Sequence, residues 1–252
     1  MIATHGLTKR YGELVAVNQI DLQVRPGEIF GFLGPNGAGK TTTIKMLVGM
    51  LLPTAGEIRI GGFDLLGDPV NAKAIIGYIP DRPYLYEKLT AHEFLRFIGG
   101  LYGTPPDEIE RLGAELLEVF ELKDWADQLI ENYSHGMKQR LIMSAAFLHK
   151  PKVLIVDEPM VGLDPKGARM VKRLFRGYAE NGHTVFMSTH TLEVAEEVCD
   201  RIAIIHQGRI IAEGTMGELR QMSKEQGDRL ESIFLELTGG TEVADLINVL
   251  KE

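Results

Sequence analysis

The sequence predicts an α/β fold built around a mainly parallel sheet, and three observations carry that prediction. Short, continuous apolar runs recur at residues 29–33, 153–156, 184–187 and 202–205. Runs of this kind suit strands covered on both faces. Helical patterns separate the last three runs, and strands that alternate with helices argue for parallel pairing. A glycine-rich loop at residues 34–41 joins the first run to the next helical stretch.

The elements follow in order. Residues up to about 80 are rich in short β-type segments with glycine turns. Residues 14–24 set Val15, Val17, Ile20, Leu22 and Val24 in partial alternation, and residues 57–60 end at Gly61 and Gly62. Residues 42–50 read as a helix. From Thr90 to Lys150 the pattern turns helical, and Thr90 with Glu93 resembles a capping box. Ile109, Leu112, Leu116 and Val119 recur at spacings of three and four, which puts them on one helical face. After Pro151 come a strand at 153–156, a helix at 166–181, a strand at 184–187, a short helix at 191–199 and a strand at 202–205. A further helix is expected around 228–237. The β-rich start and the helical middle look like additions to one α/β core.

Composition excludes several classes. The chain has 252 residues, 44% hydrophobic and 25% charged, which is ordinary for a globular protein and foreign to a disordered one. The one cysteine, Cys199, has no intramolecular partner, and no Cys/His ladder offers a zinc site. Its default reading is a buried core thiol. Twenty-seven basic against thirty-five acidic residues give a net charge of −8, which argues against broad binding to nucleic acid. The apolar runs fall far short of the ~20 residues that a membrane-spanning helix needs. The start lacks the pattern of a secretory signal. The expectation is a soluble cytosolic chain, one that can still sit against a membrane through a partner.

The sharpest motif is Gly34-Pro35-Asn36-Gly37-Ala38-Gly39-Lys40-Thr41, which fits GxxxxGK[ST] between a strand and a helix. Glycines let successive backbone N–H groups turn toward phosphate oxygens, and the helix start adds partial positive charge. Lys40 supplies a charge for the β- and γ-phosphates, and the Thr41 hydroxyl can ligate Mg²⁺. Thr42 follows on the same turn. A second carboxylate-bearing strand is then expected, and residues 153–158 supply it. Asp157 suits Mg²⁺, and Glu158 suits the orientation and deprotonation of an attacking water.

Further motifs extend this pattern. Tyr133-Ser134-His135-Gly136-Met137, followed by Lys138-Gln139-Arg140, resembles the signature loop of ABC ATPases, 19 residues before Val153. Gly162-Leu163-Asp164-Pro165 resembles the loop after that family's catalytic glutamate, and Ser188-Thr189-His190 its switch histidine. Tyr11 stands where the family has an aromatic that stacks on adenine. Seen singly, Ser134 reads as a helix cap, Tyr11 as a half-buried aromatic and His190 as a surface residue; in this order they resemble one machine. The resemblance implies a P-loop NTPase core with a mainly parallel sheet, an N-terminal antiparallel β subdomain and an inserted helical subdomain. Residues 1–214 would form the ATPase domain, with the helical insertion at about 84–150 and a tail at 215–252.

The same resemblance implies a head-to-tail dimer in which ATP lies between one subunit's phosphate loop and the other's signature loop. Ser134 and the Gly136 backbone would then contact the γ-phosphate in trans, and His190 would hold the γ-phosphate and position water. The chain departs from the family in two places. Asp81 stands where glutamine is usual and would reach Mg²⁺ through water, and His135 and Met137 replace a glycine and a glutamine of the signature. With residues 233–238, these variants resemble ATPase subunits of ABC-2-like exporters. The leading expectation is therefore the ATPase subunit of an exporter, peripheral at the inner face of the cell membrane. Separate polytopic subunits would dock near residues 81–88, and nucleic acid is not a partner. The alternative is a soluble ABC ATPase that drives an assembly reaction such as iron–sulfur scaffold loading. A GTPase or nucleotide kinase fits less well, because no NKxD guanine-reading motif is present.

Overall fold

The computed structural model of the protein describes residues 1–222 and Phe234. Its strands are β1 Ile2–Tyr11, β2 Leu14–Val24, β3 Ile29–Leu33, β4 Ala55–Ile60, β5 Phe63–Asp64, β6 Ile76–Ile79, β7 Val153–Asp157, β8 Thr184–Thr189, β9 Arg201–His206 and β10 Arg209–Gly214. Its helices are α1 Lys40–Leu47, α2 Pro69–Ala74, α3 Ala91–Leu101, α4 Pro106–Val119, α5 His135–Leu148, α6 Pro165–Glu180, α7 Leu192–Val198 and α8 Met216–Met222.

The apolar runs form the centre of a six-stranded sheet ordered β10-β9-β3-β8-β7-β6, parallel except for the β9–β10 pair. Side chains alternate across a strand, and both faces are covered. Ile29 and Leu33 of β3 join the core beneath the helices, whereas Phe30 and Phe32 join the core beneath the second sheet. In β7, Leu154 and Val156 face one way and Val153 and Ile155 the other. That is why these runs show no polar–apolar alternation. Phe186 of β8 stacks on Phe30 with ring centroids 5.8 Å apart, which ties neighbouring strands together within one layer.

The second sheet is antiparallel, in the order β2-β1-β4-β5. The partial alternation in β2 has a local cause. Val17 is buried, and so are Ile20, Leu22 and Val24, but the register slips between them, where Gln19 takes a φ of +52°. One extra residue reverses the facing of everything beyond it.

The helical middle is α3, α4 and α5, with two short 3-10 turns at Lys123–Trp125 and Ile130–Asn132 between α4 and α5. Thr90 caps α3 in a full capping box, its side chain accepting from the Glu93 N–H while Glu93 reaches back to the Thr90 N–H. One expectation fails in α4. The buried residues are Ile109, Gly113 and Leu117, with Leu112 and Leu116 flanking them, and Val119 is 53% exposed. The stripe advances by four residues at each step, so Val119 in the last turn points to solvent. The helix expected at 42–50 begins earlier, at Lys40, and ends at Leu47. Helix α2 is signalled only by Asp68, whose side chain caps it by accepting from the Asn71 N–H, and by Pro69 at its first position. The expected helix at 228–237 lies outside the described residues, apart from Phe234, which packs against the core beneath the helices.

Candidate active site

Parallel pairing brings the ends of β3, β7 and β8 to one edge of the sheet, where open α/β folds place their ligands. The loop after β3 wraps the start of α1. Gly39 is the helix cap, with φ at +111°, and a Cβ there would lie 2.6 Å from the Ala16 carbonyl. Only glycine meets both demands. Lys40 is buried at 7% exposure, and its Nζ donates to the carbonyls of Gly34 at 2.6 Å and Pro35 at 3.2 Å. Burial pushes its pKa down, opposed by the nearby charges of Glu158 and Asp157.

The two carboxylates are held by β8. Asp157 pairs in register with Ser188, and the Ser188 hydroxyl donates to Asp157 Oδ1. Glu158 sits at φ +51°, a left-handed conformation that costs a non-glycine residue about 1–3 kcal/mol. Its backbone N–H holds that position by donating to the Ser188 carbonyl at 3.2 Å and the Ser188 hydroxyl at 3.3 Å. The carboxylate in turn accepts from His190 Nδ1 at 2.8 Å and from the His190 N–H at 3.4 Å. Burial, with the Asp157 charge second, pushes the Tyr78 phenol up to about 12 and keeps it neutral beside these acids.

One open cavity of about 560 Å³ joins these groups. It is lined by Tyr11, Pro35, Asn36, Gly37, Gly39, Lys40, Thr41, Thr42, Asp81, Asp157, Glu158 and His190, all of them sites expected from the sequence. Leu14, Ala16 and Val161 also line it, and no motif singles them out. The exposure of Leu14 at 64%, on an otherwise alternating strand, has no counterpart in the residue pattern. Ser188 stands out in the sequence only as a neighbour of His190, although its hydroxyl and carbonyl hold both acids.

Two of the expected loop residues stand behind the cavity. Ala38 is 3% exposed, and a Cβ on Gly34 would strike the Ile205 carbonyl, so both shape the loop from its core side. Ser134 and Gly136 are not part of this cavity. They line a separate one of about 320 Å³ with Met137, Arg140, Gly162, Leu163 and Asp164. Ser134 caps α5, its hydroxyl accepting from the Met137 N–H at 3.3 Å.

A family profile described as ABC transporter matches residues 17–161, more than half of the chain. The chain belongs to the ABC transporter family. The linearmycin resistance ATP-binding protein LnrL of Bacillus subtilis (strain 168) is 42% identical over 219 residues, covering 87% of this chain and 70% of LnrL. A solved ATP-binding subunit of an ABC transporter superposes with a TM-score of 0.89 at 34% identity, over 94% of this chain and 99% of that one. A dimeric post-hydrolysis structure of the ATP-binding cassette MJ0796, bound to ADP and Pi, superposes with a TM-score of 0.75 at 25% identity, over 85% and 98%. Within the family this chain is an ATP-binding, ATP-hydrolysing subunit of the multidrug-exporter-like group.

Proposed function

We propose that the chain energises export by closing head to tail on a second ATPase subunit, with ATP held between the two. The observation that supports this best is the separation of two surfaces: the cavity of Lys40 and Glu158, and the α5 start with Ser134 and Gly136, which lies outside it. That the similar ATP-binding cassette MJ0796 is solved as a dimer supports a paired state.

In this reading Tyr11 stacks on adenine, and the N–H groups of the loop at residues 34–42 cradle the phosphates with Lys40. Glu158 takes the proton of a water whose oxygen attacks the γ-phosphorus as the bond to the leaving ADP oxygen breaks. His190 orients Glu158 and the γ-phosphate. On closure, Ser134 and the Gly136 N–H of the second subunit donate to the γ-phosphate, which is charge stabilisation supplied when the dimer closes. Thr41, Asp157 and Asp81 would hold Mg²⁺. A hydroxyl and two carboxylates are hard oxygen donors, and so few protein ligands suit a cation that keeps waters and substrate phosphates in its shell. Bound there, Mg²⁺ neutralises charge on the phosphate oxygens.

Residues 1–214 make up the ATPase domain in this account, with the helical insertion at about 84–150 and 215–252 as a tail. Among the described residues no helix is long and apolar enough to cross a membrane, and the spanning subunits are separate chains. The chain then sits at the inner face of the cell membrane, with its docking surface on the helical insertion. There Tyr86, Leu89 and Phe97 line an apolar cavity of about 400 Å³, and Tyr84 nearby is 80% exposed. Nothing in the relatives favours the assembly-ATPase alternative. Purified in detergent from cells making it at native level, the chain should bring down a polytopic membrane protein. Recovery with soluble scaffold proteins alone would overturn the transporter reading.

A further inference from the structure

We propose that His135 is a positioning residue: its ring sets the loop that carries Glu158 by filling the space above Gly162. His135 is the first residue of α5. A Cβ built on Gly162 would lie 2.3 Å from His135 Cδ2 and 2.7 Å from Nε2, so the imidazole occupies the volume a side chain there would take. Gly162 also sits at φ +77°, which disfavours any other residue. The backbones approach as well, since a Cβ on Gly136 would lie 3.2 Å from the Gly162 carbonyl.

The loop between β7 and α6 is short and tied at both ends. At one end Glu158 is bound to Ser188, and its carbonyl accepts from the Val161 N–H at 3.2 Å. At the other, the Asp164 side chain caps α6 by accepting from the Gly167 N–H at 2.9 Å, and takes Arg140 of α5 at 3.4 Å. Gly162 stands one residue beyond the Glu158–Val161 turn and has no side chain of its own to anchor it. The Leu163 N–H closes across it by donating to the Met160 carbonyl at 3.3 Å, and the His135 ring covers Gly162 from the neighbouring helix. A displacement of the α5 start is therefore passed to the turn that begins at Glu158. The inference rests on the reading of Glu158 as the general base.

A double-mutant cycle on the full chain tests it, with ATP turnover and equilibrium binding of a fluorescent ATP analogue as readouts. His135→Gly should lower kcat about five- to tenfold with nucleotide affinity unchanged, because only the geometry of the chemical step is disturbed. His135→Phe, which refills the space without a ring nitrogen, should recover kcat to within about twofold of wild type. Gly162→Ala should cost more in the wild-type background, where its methyl meets the ring, than in His135→Gly, where only the backbone strain remains. The difference should be at least about threefold, as befits residues in contact. A Gly162→Ala cost that is equal in both backgrounds, or a His135→Phe variant no better than His135→Gly, would overturn the proposal. Glu158→Gln run alongside separates the two readings. If it keeps turnover, the base assignment falls and takes this inference with it. If it is inactive while the cycle is additive, only the role of His135 is lost.

Discussion

The N-termini of α1 and α5 both carry the unsatisfied backbone N–H groups of any helix start, but the chain furnishes the two differently. At α1 the cap is Gly39, which spends no side chain on those N–H groups, and Lys40 is already buried and bonded to its own loop. Asp157, Glu158 and His190 share its cavity. At α5 the Ser134 hydroxyl is bonded to Met137, and the cation lining its cavity, Arg140, is paired with Glu121 at 2.8 Å and with Asp164. Neither Asp157 nor Glu158 lines that cavity. The contrast amounts to a division of labour. In the proposed reading, one helix start binds nucleotide in the single chain, and the other offers donors that count only once a second subunit presents a γ-phosphate. Interactions made late, in the closed state, favour turnover rather than binding.

Substitutions at the two starts should therefore fail in different ways. The largest effect belongs to Glu158→Gln, expected to cut kcat by about 10²–10⁴, the usual contribution of a general base, while ATP binding persists. Single-turnover hydrolysis checks this, and wild-type turnover would remove the assignment. Lys40→Ala should weaken nucleotide binding roughly ten- to hundredfold, as loss of a charged hydrogen-bonding partner does, measurable by titration calorimetry on the single chain. Ser134→Ala should do the reverse of Lys40→Ala: nucleotide affinity of the single chain unchanged, turnover down about tenfold, and stability lower by about 1 kcal/mol from the lost cap. Parallel binding and rate measurements decide it, and a drop in affinity of the isolated chain would erase the distinction between the two helix starts.

The smallest effect lies at the other end of α5. His149 stacks on Tyr102 with ring centroids 3.7 Å apart, and its Nε2 donates to the Ile76 carbonyl at 2.9 Å. Burial pushes its pKa below the usual histidine value, more than this hydrogen bond restores. As the pH falls below about 6.5, the unfolded chain takes up a proton that the folded chain refuses, so stability is lost on the acid side. His149→Phe, which keeps a ring on Tyr102, should flatten that acid-side loss in thermal melts between neutral and mildly acidic pH.

Much of this architecture is legible in the residues alone. The buried strands announce themselves as unbroken apolar runs, and the phosphate loop is a contiguous motif in which Gly37 and Gly39 take positive φ. Thr90 and Glu93 spell a capping box within four residues. Whatever depends on tertiary register stays hidden. The slip at Gln19 reverses the facing of β2, and Val119 falls off a stripe whose true step is four. Ser188 acts through its pairing with Asp157 across two strands, and no spacing along the chain reports such a pairing. The contact of His135 with Gly162 is of the same kind, since 27 residues separate two groups that share one volume.

Head-to-tail closure requires each active site to take Lys40 from one subunit and Ser134 from another. Mixing purified Lys40→Ala and Ser134→Ala chains puts that requirement to the sharpest test. A head-to-tail pair of unlike chains holds one site with both defects and one site with neither, so ATP turnover should rise above that of either variant alone. Turnover that stays at the average of the two separate variants, across concentrations at which the chains associate, would contradict it.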